Sequence, residues 1–342
     1  MTKCQCITLA SRPQGQPRIE NFKLEDRDLP APGPGEFLVR VIWLSLDPYM
    51  RGRMDDVKSY APPVAIGGVM EGGAVGEIIE SHHSEFAVGE IVTGQFGWAS
   101  HAVTHGEGVR KVDPGVAPIS TALGVLGMPG ITAWVGLNKI ADAQSGETIV
   151  VSAATGAVGG MVCQLAKAKG LRVIGVAGGP EKCAFAVEEL GVDICFDHRA
   201  HDAGALSAVI KEAAPAGVDI YFDNVGGKTL EAVLAQMNTG GRIAVCGAIS
   251  WYSGLGLADA QPLPAVWRAI LTRRLRVQGF IIFDHFHLMD QFQHEVAPLV
   301  GSGAIKVRES VVDGLENAPT AFIEMLKGGN FGKQLVRIGA DP

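Results

Sequence analysis

The chain has 342 residues, which is longer than one ordinary domain, so we expect two domains. Hydrophobic residues make up 47% of it and charged residues 19%, a balance typical of compact enzymes and not of disordered chains. The formal net charge of -7 comes without any lysine-rich or arginine-rich run. This excludes a general attraction to nucleic acid or to anionic membranes.

The cysteines and the N-terminus bear on the cellular compartment. Six cysteines are scattered without the CxxC spacing of a structural zinc site or the density of a disulfide scaffold. The first residues are polar, and no run of about 18 apolar residues occurs. We therefore expect a cytoplasmic protein with reduced thiols and with no membrane or nucleic-acid partner.

The predicted elements change in character along the chain. Before about residue 125, short strand-like runs such as 36–43 and 74–79 alternate with Pro and Gly clusters, which predicts an irregular β-rich domain. After that point, strands alternate with segments of helical length. The predicted strands are 148–151, 172–176, 219–222, 242–246 and 276–282, and the predicted helices end at Lys169 or span 181–190 and 229–237.

This alternation predicts an α/β domain built on a doubly wound parallel sheet. The last 40 residues return to short strands around one helix, so we expect them to rejoin the first domain. The predicted domains are residues 1–124 with 304–342, and residues 125–303.

The most informative segment is SAATGAVGG, residues 152–160, which lies between a predicted strand and a predicted helix. Small residues let the backbone turn sharply, approach a pyrophosphate and present the N–H groups of a helix N-terminus. Ala154 stands where the usual GxGxxG has its first glycine. Such a turn can also serve packing alone, but its place between strand and helix is the context that nucleotide binding requires.

The end of the next strand indicates which dinucleotide is bound. An NAD site places a carboxylate there to hold the ribose 2′-hydroxyl. Here the strand ends in Ala177 and Gly178, and Lys182 follows. A lysine without a strand-end acid favours the 2′-phosphate of NADPH, although Lys182 could also be a solvated lysine at a helix start.

Chains of this plan include alcohol dehydrogenases that polarise a carbonyl with zinc, which needs about three N or S ligands. The N-terminal segments relevant to such a zinc site, 44–51 and 67–73, contain neither Cys nor His. The nearby His82 and His83 lie in a charged turn that we place on the surface. Without a Lewis acid, conjugate reduction is favoured over reduction of an isolated carbonyl, because an enone delocalises the incoming charge into an enolate.

Several motifs resemble one family closely. They are LSLDPYMRGRM (44–54), SYAPPVAIGGVMEGG (59–73), LGVLGMPGITAW (123–134), AATGAVGG (153–160), GVAGGPEKC (175–183), FDNVGG (222–227), GRIAVCGAIS (241–250), RVQGFII (276–282) and GLENAPTAFIEMLKGGNFGK (314–333). They are similar to the zinc-independent medium-chain dehydrogenases/reductases of the leukotriene B4 12-hydroxydehydrogenase/prostaglandin reductase group, and IGGVM and QGFII are nearest to the bacterial curcumin reductases. The resemblance implies a Rossmann-type NADPH domain and a GroES-like catalytic domain.

The resemblance also implies cofactor contacts. The pyrophosphate contacts are Thr155, Gly156, Ala157 and Val158. The 2′-phosphate contacts are Lys182 and His198, and relatives have a tyrosine at the position of His198. The contacts along the rest of the cofactor are Asn224, Cys246, Gly247, Ala248, Ile249, Phe280, Ile281, Ile282 and Asn330. Asn224 and Asn330 could instead be turn residues, Cys246 a buried strand thiol and His198 a lone surface histidine.

The resemblance places two phenols beside the nicotinamide. We predict Tyr60 as the hydrogen-bond donor to the enolate and Tyr49 as a pocket wall, although either could be only an aromatic filler. Eicosanoid and alkenal reductases have a tyrosine after the QGFII-like strand, and here that position is Phe283. Met50, Met128, Trp251, Tyr252 and Phe283 are further candidates for lining the substrate pocket.

The predicted reaction is NADPH-dependent reduction of the carbon-carbon double bond of α,β-unsaturated ketones or aldehydes, with solvent as the proton source. An NADPH:quinone oxidoreductase and a non-enzymatic NADPH-binding structural or sensor protein are the alternatives. We expect a small hydrophobic enone or aldehyde as substrate. A homodimer formed through an edge strand is implied by the resemblance.

Overall fold

The structure is a computed structural model, which describes residues 2–254 and 263–341. The chain divides into two compact units. The first consists of Met1–Gly127 and Glu309–Pro342, and the second of Met128–Arg308. Each unit has its own layers of secondary structure and its own apolar core.

The first unit is mainly antiparallel. Its elements before the second unit are β1 Thr2–Leu9, β2 Phe22–Leu29, β3 Phe37–Ser45, the short helix α1 Met50–Arg53, β4 Ala74–Ser81, β5 Ile91–Gly94, β6 His101–Thr104 and β7 Arg110–Lys111. Strands β1 and β2 pair with each other in register along their whole length. Strand β3 is apolar at almost every position because neighbouring strands flank it on both edges and the core covers it.

The second unit alternates strands and helices. Its elements are α2 Met128–Val135, β8 Thr148–Ser152, α3 Ala157–Ala168, β9 Arg172–Ala177, α4 Pro180–Glu188, β10 Ile194–Asp197, α5 Ala203–Ala213, β11 Val218–Asp223, α6 Gly227–Leu234, β12 Met237–Val245, α7 Leu263–Arg273, β13 Arg276–Gly279 and α8 Met289–Gly301. Every residue of β8 is buried, as expected for the centre of a parallel sheet.

All strand pairs of this sheet are parallel, and their order is β10-β9-β8-β11-β12-β13. This is the doubly wound order, in which the direction of strand addition across the sheet reverses between the first and fourth strands, so the predicted fold class is confirmed. The reversal lies between β8 and β11. In such sheets ligands bind beyond the carboxyl ends of the strands at this point.

The end of the chain completes the first unit. Strands β14 Glu309–Asp313 and β15 Lys333–Arg337 pair in parallel, with α9 Ala318–Leu326 between them. Strand β15 then pairs antiparallel with β3, which gives the sheet order β14-β15-β3-β4-β5-β7, with β6 also on β3. The helix contributes Phe322 to the apolar core beside Phe22 and Trp98.

Two predicted elements had wrong bounds. The helix expected over 229–237 is Gly227–Leu234, and Met237 instead begins β12 because it pairs with Val218 of β11. The strand expected over 276–282 ends at Gly279, because the partner of Gly279 is Val245, the last residue of β12. Phe280, Ile281 and Ile282 therefore follow the strand and lead into a 3-10 helix.

Candidate active site

The loop after β8 places a helix N-terminus at the carboxyl edge of the parallel sheet. Ser152 ends β8 and is fully buried, and Ala153 then adopts a left-handed backbone conformation with φ 49°. Gly156 is the N-cap residue of α3 and donates its N–H to the Ala153 carbonyl over 2.8 Å. First-turn N–H groups have no partner within a helix, so Ala157 and Val158 can present donors to a phosphate.

The glycine spacing of this loop has a steric cause. A methyl group added at Gly159 would lie 2.2 Å from the Ala153 carbonyl oxygen, so only glycine lets the helix pass this close to the loop. Ala154, in the place of the first glycine, is fully buried and donates its N–H to Val176 over 3.0 Å. Its methyl fits because Gly175 on β9 has none: a carbon added there would lie 3.0 Å away.

Asp223, which is buried beneath this loop, links the ends of three strands through its carboxylate and its main-chain carbonyl. Asp223 Oδ1 accepts hydrogen bonds from the Tyr221 hydroxyl at 2.8 Å, the Ser152 hydroxyl at 3.2 Å, and the Val225 and Gly226 N–H groups at 2.9 and 2.8 Å. The main-chain carbonyl of Asp223 accepts hydrogen bonds from the N–H groups of Cys246 and Gly247. Burial raises the pKa of Asp223, and these donors oppose that rise.

Asn224 is fixed by the same strand ends. Its backbone N–H donates to the Ser152 hydroxyl and its side-chain amide to the Ser152 carbonyl, both at 2.8 Å. The positive φ angles of this turn belong to Gly226 and Gly227, so Asn224 is not needed for a left-handed conformation. The contact predicted between Asn224 and the cofactor stays a prediction.

The segment after β12 folds back onto this turn. The Ser250 hydroxyl donates to the Val225 carbonyl at 2.6 Å, and the Trp251 ring covers Gly226 so closely that an added methyl would lie 2.6 Å from it. The Tyr252 hydroxyl accepts the Ala248 N–H at 3.2 Å. Burial raises the pKa of the Cys246 thiol to about 12, so this cysteine is a neutral thiol at neutral pH.

The remaining candidates of the second unit differ in exposure. The Phe280 ring is half-buried and, with Phe222, lies against Gly136, where an added methyl would be 2.9 Å from Phe280. Phe283 is 45% exposed and lies 5.5 Å from the Phe286 ring. Met128 begins α2, half-buried, and its carbonyl accepts the Thr132 hydroxyl.

Cations gather beyond the carboxyl ends of β9 and β10. Lys182 is half-buried on the first turn of α4, and its pKa is lowered by burial and then by the nearby charge of Arg199. Burial, followed by Lys228 and Arg199, lowers the pKa of His198. The position of Arg199 carries no motif, so sequence reasoning had no signal by which to find it. A loop that presents a helix N-terminus, followed by this cation cluster, fits an NADPH-type dinucleotide.

The predicted phenols of the first unit lie around a buried arginine. The Arg53 guanidinium lies 4.3 Å from the centre of the Tyr60 ring and 5.7 Å from that of Tyr49. It is held by Glu71 at 3.2 Å and by the Ala61 carbonyl at 3.1 Å. Burial raises the pKa of both phenols, so both are protonated hydrogen-bond donors at neutral pH.

A buried ion pair joins the segment before Tyr49 to the start of β15. Lys333 Nζ lies 2.6 Å from Asp47 Oδ1 and donates to the Leu46 carbonyl, and the Ser45 hydroxyl bonds the other carboxylate oxygen. Asn330, three residues before Lys333, donates its amide to the Gly332 carbonyl. Met50 is wholly buried in the apolar core, so we do not retain it among the proposed pocket residues.

Metal-binding clusters and membrane-spanning helices are both absent from the part of the chain that the structure describes. Within residues 2–254 and 263–341, no group of three or more His, Cys, Asp or Glu side chains is arranged to hold a metal ion. No helix in those ranges combines the length and the apolar character needed to cross a bilayer.

Comparison with known families matches both units. Residues 5–112 match the family described as N-terminal domain of oxidoreductase, and residues 157–300 match the family described as zinc-binding dehydrogenase. The NADPH-dependent curcumin reductase of Escherichia coli is 49% identical over 97% of this chain and 96% of its own length. Prostaglandin reductase 1 of Rattus norvegicus is 40% identical over 98% and 100%, and the 2-alkenal reductase (NADP(+)-dependent) of Nicotiana tabacum is 39% identical over 90% and 89%.

Solved structures agree with these relatives. The crystal structure of CurA from Vibrio vulnificus matches with a TM-score of 0.93 and 48% identity, over all of both chains. The structure of CurA in complex with NADPH gives the same TM-score and identity over 98% of this chain and 100% of that one. The chain belongs to the medium-chain dehydrogenase/reductase family, with a GroES-like and a Rossmann domain, and to the group that includes NADPH-dependent curcumin reductase and prostaglandin reductase.

Proposed function

We propose that this protein uses NADPH to reduce the carbon-carbon double bond of α,β-unsaturated ketones and aldehydes. One observation carries the proposal: a glycine-rich loop at a helix N-terminus and a cation cluster suited to NADPH occur in a chain whose full-length relatives are named as curcumin, alkenal and prostaglandin reductases. Curcumin-like enones and alkenals are therefore the proposed substrates.

The second unit is the proposed NADPH domain, and the first unit the proposed substrate domain. Thr155, Gly156, Ala157 and Val158 would hold the pyrophosphate, because this turn presents backbone N–H groups at a helix N-terminus. Lys182 and His198 would hold the 2′-phosphate. NADPH held there would supply the hydride for the β-carbon of the enone. In the second unit, Asn224 and the segments 246–249 and 280–282 would orient the cofactor, and Asn330 of the first unit stays a predicted cofactor contact.

The chemistry left to the protein is stabilisation of the enolate oxygen. Tyr60 is the proposed donor, because its phenol is protonated at neutral pH and 49% exposed, while Arg53 beneath its ring favours negative charge nearby. Tyr49 of the first unit stays a predicted pocket wall, and Met128, Trp251, Tyr252 and Phe283 stay the predicted lining residues of the second unit. Solvent is the proposed proton source for the α-carbon, because Phe283 has no hydroxyl group that could donate a proton.

A homodimer and a cytoplasmic location also belong to the proposal. All four residues of the edge strand β13 are exposed, and Leu263, Trp267 and Leu271 form an exposed apolar row on α7. An exposed edge strand and an exposed apolar row each favour contact with a second copy. Sedimentation equilibrium should give the mass of two chains, and the mass of one chain at micromolar concentration would contradict the dimer.

Steady-state kinetics with identified products test the proposed reaction. NADPH oxidation should be measured with enones of graded length, the matching saturated ketones, and ortho-quinones. We expect turnover of the enones to saturated ketones and no turnover of the saturated ketones. Turnover confined to quinones would favour a quinone reductase, and tight NADPH binding without oxidation of any acceptor would favour a structural or sensor protein.

A further inference from the structure

A second cation beside Lys182 is placed to read the adenosine 2′-phosphate. Arg199 follows β10 by two residues, and its backbone N–H donates to Asp197 Oδ1 at 2.8 Å. The same carboxylate oxygen accepts the Gly179 N–H at 2.8 Å. Asp197 thus holds the backbone of Arg199 against the loop that follows β9, where a dinucleotide fold distinguishes NAD from NADP.

The side chain of Arg199 lies on the same loop. A methyl group added at Gly178 would be 3.1 Å from Arg199 Nε and 3.0 Å from His198 Nε2, and one added at Gly179 would be 3.9 Å from Arg199 Nη1. Gly178 and Gly179 therefore give both side chains access to the backbone of this loop. An acidic side chain at the end of β9, as in an NAD site, would lie next to the Arg199 guanidinium.

The charges around this loop favour an anion. The charge of Arg199 lowers the pKa of Lys182 and of His198, so the three groups are close enough to interact. Glu181 and Asp197 are the acids that act on them, and Asp197 already accepts two N–H groups. Like charges brought together repel, and a bound phosphate dianion relieves that repulsion.

Arg199 differs from its neighbours in the way it can bind a phosphate. The pKa of His198 is lowered, chiefly by burial, so this histidine is neutral at neutral pH. Lys228 donates to the His201 carbonyl at 2.9 Å, which directs its ammonium to the backbone. An arginine stays protonated throughout the physiological range and can bind phosphate with two parallel N–H groups.

We propose that Arg199 is a specificity-determining residue that binds the 2′-phosphate together with Lys182 and sets the preference for NADPH over NADH. This inference rests on the proposed use of NADPH but not on the enone reaction. Arg199, which follows β10, adds a permanent positive charge to the predicted pair of Lys182 and His198.

Cofactor binding measured by titration calorimetry, without any enone, tests the role of Arg199. The variants are Arg199→Ala, Arg199→Lys and, as a benchmark, Lys182→Ala. Lys211→Ala is the matched control, because Lys211 is an exposed cation near the end of α5, which runs away from the carboxyl end of β10. Each is titrated with NADPH, with NADH and with adenosine 2′,5′-bisphosphate.

We expect Arg199→Ala, like Lys182→Ala, to weaken the binding of NADPH and of the bisphosphate by roughly tenfold and to leave the affinity for NADH within about twofold. Arg199→Lys should recover part of the loss, and the salt dependence of NADPH binding should be smaller in Arg199→Ala than in Lys211→Ala. Equal NADPH affinities of Arg199→Ala and Lys211→Ala would overturn the proposal. Equal weakening of NADPH and NADH would also overturn it, because the residue would then only shape the loop.

The two proposals fail separately. If the unaltered protein binds NADPH but reduces no enone, the proposed function is wrong and the role of Arg199 is still decided by these titrations. If it reduces enones and Arg199→Ala binds NADPH normally, only the role of Arg199 is wrong.

Discussion

The loop edge of the second unit (residues 152–160 and 223–227) and the tyrosine segment of the first unit (residues 45–60) are built differently. The edge consists of backbone N–H groups and glycines, held from below by one carboxylate with four neutral donors. The tyrosine segment is held by side chains with full charges, including Lys333 from far along the chain. The first arrangement depends mainly on backbone geometry, and the second on charge pairs, of which Asp47–Lys333 joins distant parts of the chain.

This difference predicts different sensitivities. A backbone-built loop tolerates many side chains and fails where a carbon atom enters a close approach. A buried ion pair fails when one charge is left without the other, because a lone charge in the interior is poorly solvated. Burial lowers the pKa of Lys333, and the Asp47 carboxylate opposes that effect, which shows how much this lysine depends on its partner.

The largest effect is expected at the ion pair. Lys333→Met should lower the free energy of unfolding by about 3–5 kcal/mol, because it leaves Asp47 buried and unpaired. Urea denaturation measures this. Lys327→Met, which removes a surface pair with Glu324, should stay within about 1 kcal/mol. The double variant Asp47→Asn/Lys333→Met should recover part of the loss, and no recovery would show that the charge pair is not what holds this segment.

The next effect tests the backbone-built edge. Gly159→Ala should destabilise the protein by about 1–3 kcal/mol and weaken NADPH binding, because its methyl would collide with the Ala153 carbonyl. Gly160→Ala is the matched control, since a methyl there would lie 3.5 Å from Leu190, an ordinary contact. Thermal unfolding and NADPH titration compare the two. Equal behaviour of the two variants would contradict the steric account of the loop.

A smaller effect is expected at the tyrosine segment. Tyr60→Phe should lower kcat by about tenfold and leave KM for the enone within about twofold, because a donor to the enolate acts mainly in the transition state. Steady-state kinetics on one alkenal measures both constants. An unchanged kcat, or a larger loss in Tyr49→Phe, would move the donor role away from Tyr60.

The smallest effect concerns pH. The pKa of His198 lies below its usual value of about 6.5, so the ring gains its charge only in more acidic solution. The ratio of the NADPH dissociation constants of His198→Gln and the unaltered protein should therefore be near one at pH 8. It should rise to about two or three at pH 5.5, since protonated His198 then adds an attraction to the phosphate. A ratio that is constant with pH would show that His198 does not act through its charge.

Local features were predicted from the sequence better than contacts between distant residues, and the reason is physical. Strand-helix alternation and the spacing of Gly156 and Gly159 are local patterns that record backbone constraints directly. The pairing of Asp47 with Lys333 and the approach of Arg199 to Gly178 join residues whose proximity only the fold creates. Strand β13 was predicted too long because its end is set by its neighbour β12.

Deuterium transfer tests the proposed reaction most directly. The protein is incubated with a linear enone and NADPH carrying deuterium at the transferable position, and the product is examined by proton NMR. We predict a saturated ketone with one deuterium on the former β-carbon and hydrogen from solvent on the α-carbon. Deuterium on a carbinol carbon, from reduction of the carbonyl, would contradict the account, as would a product without deuterium.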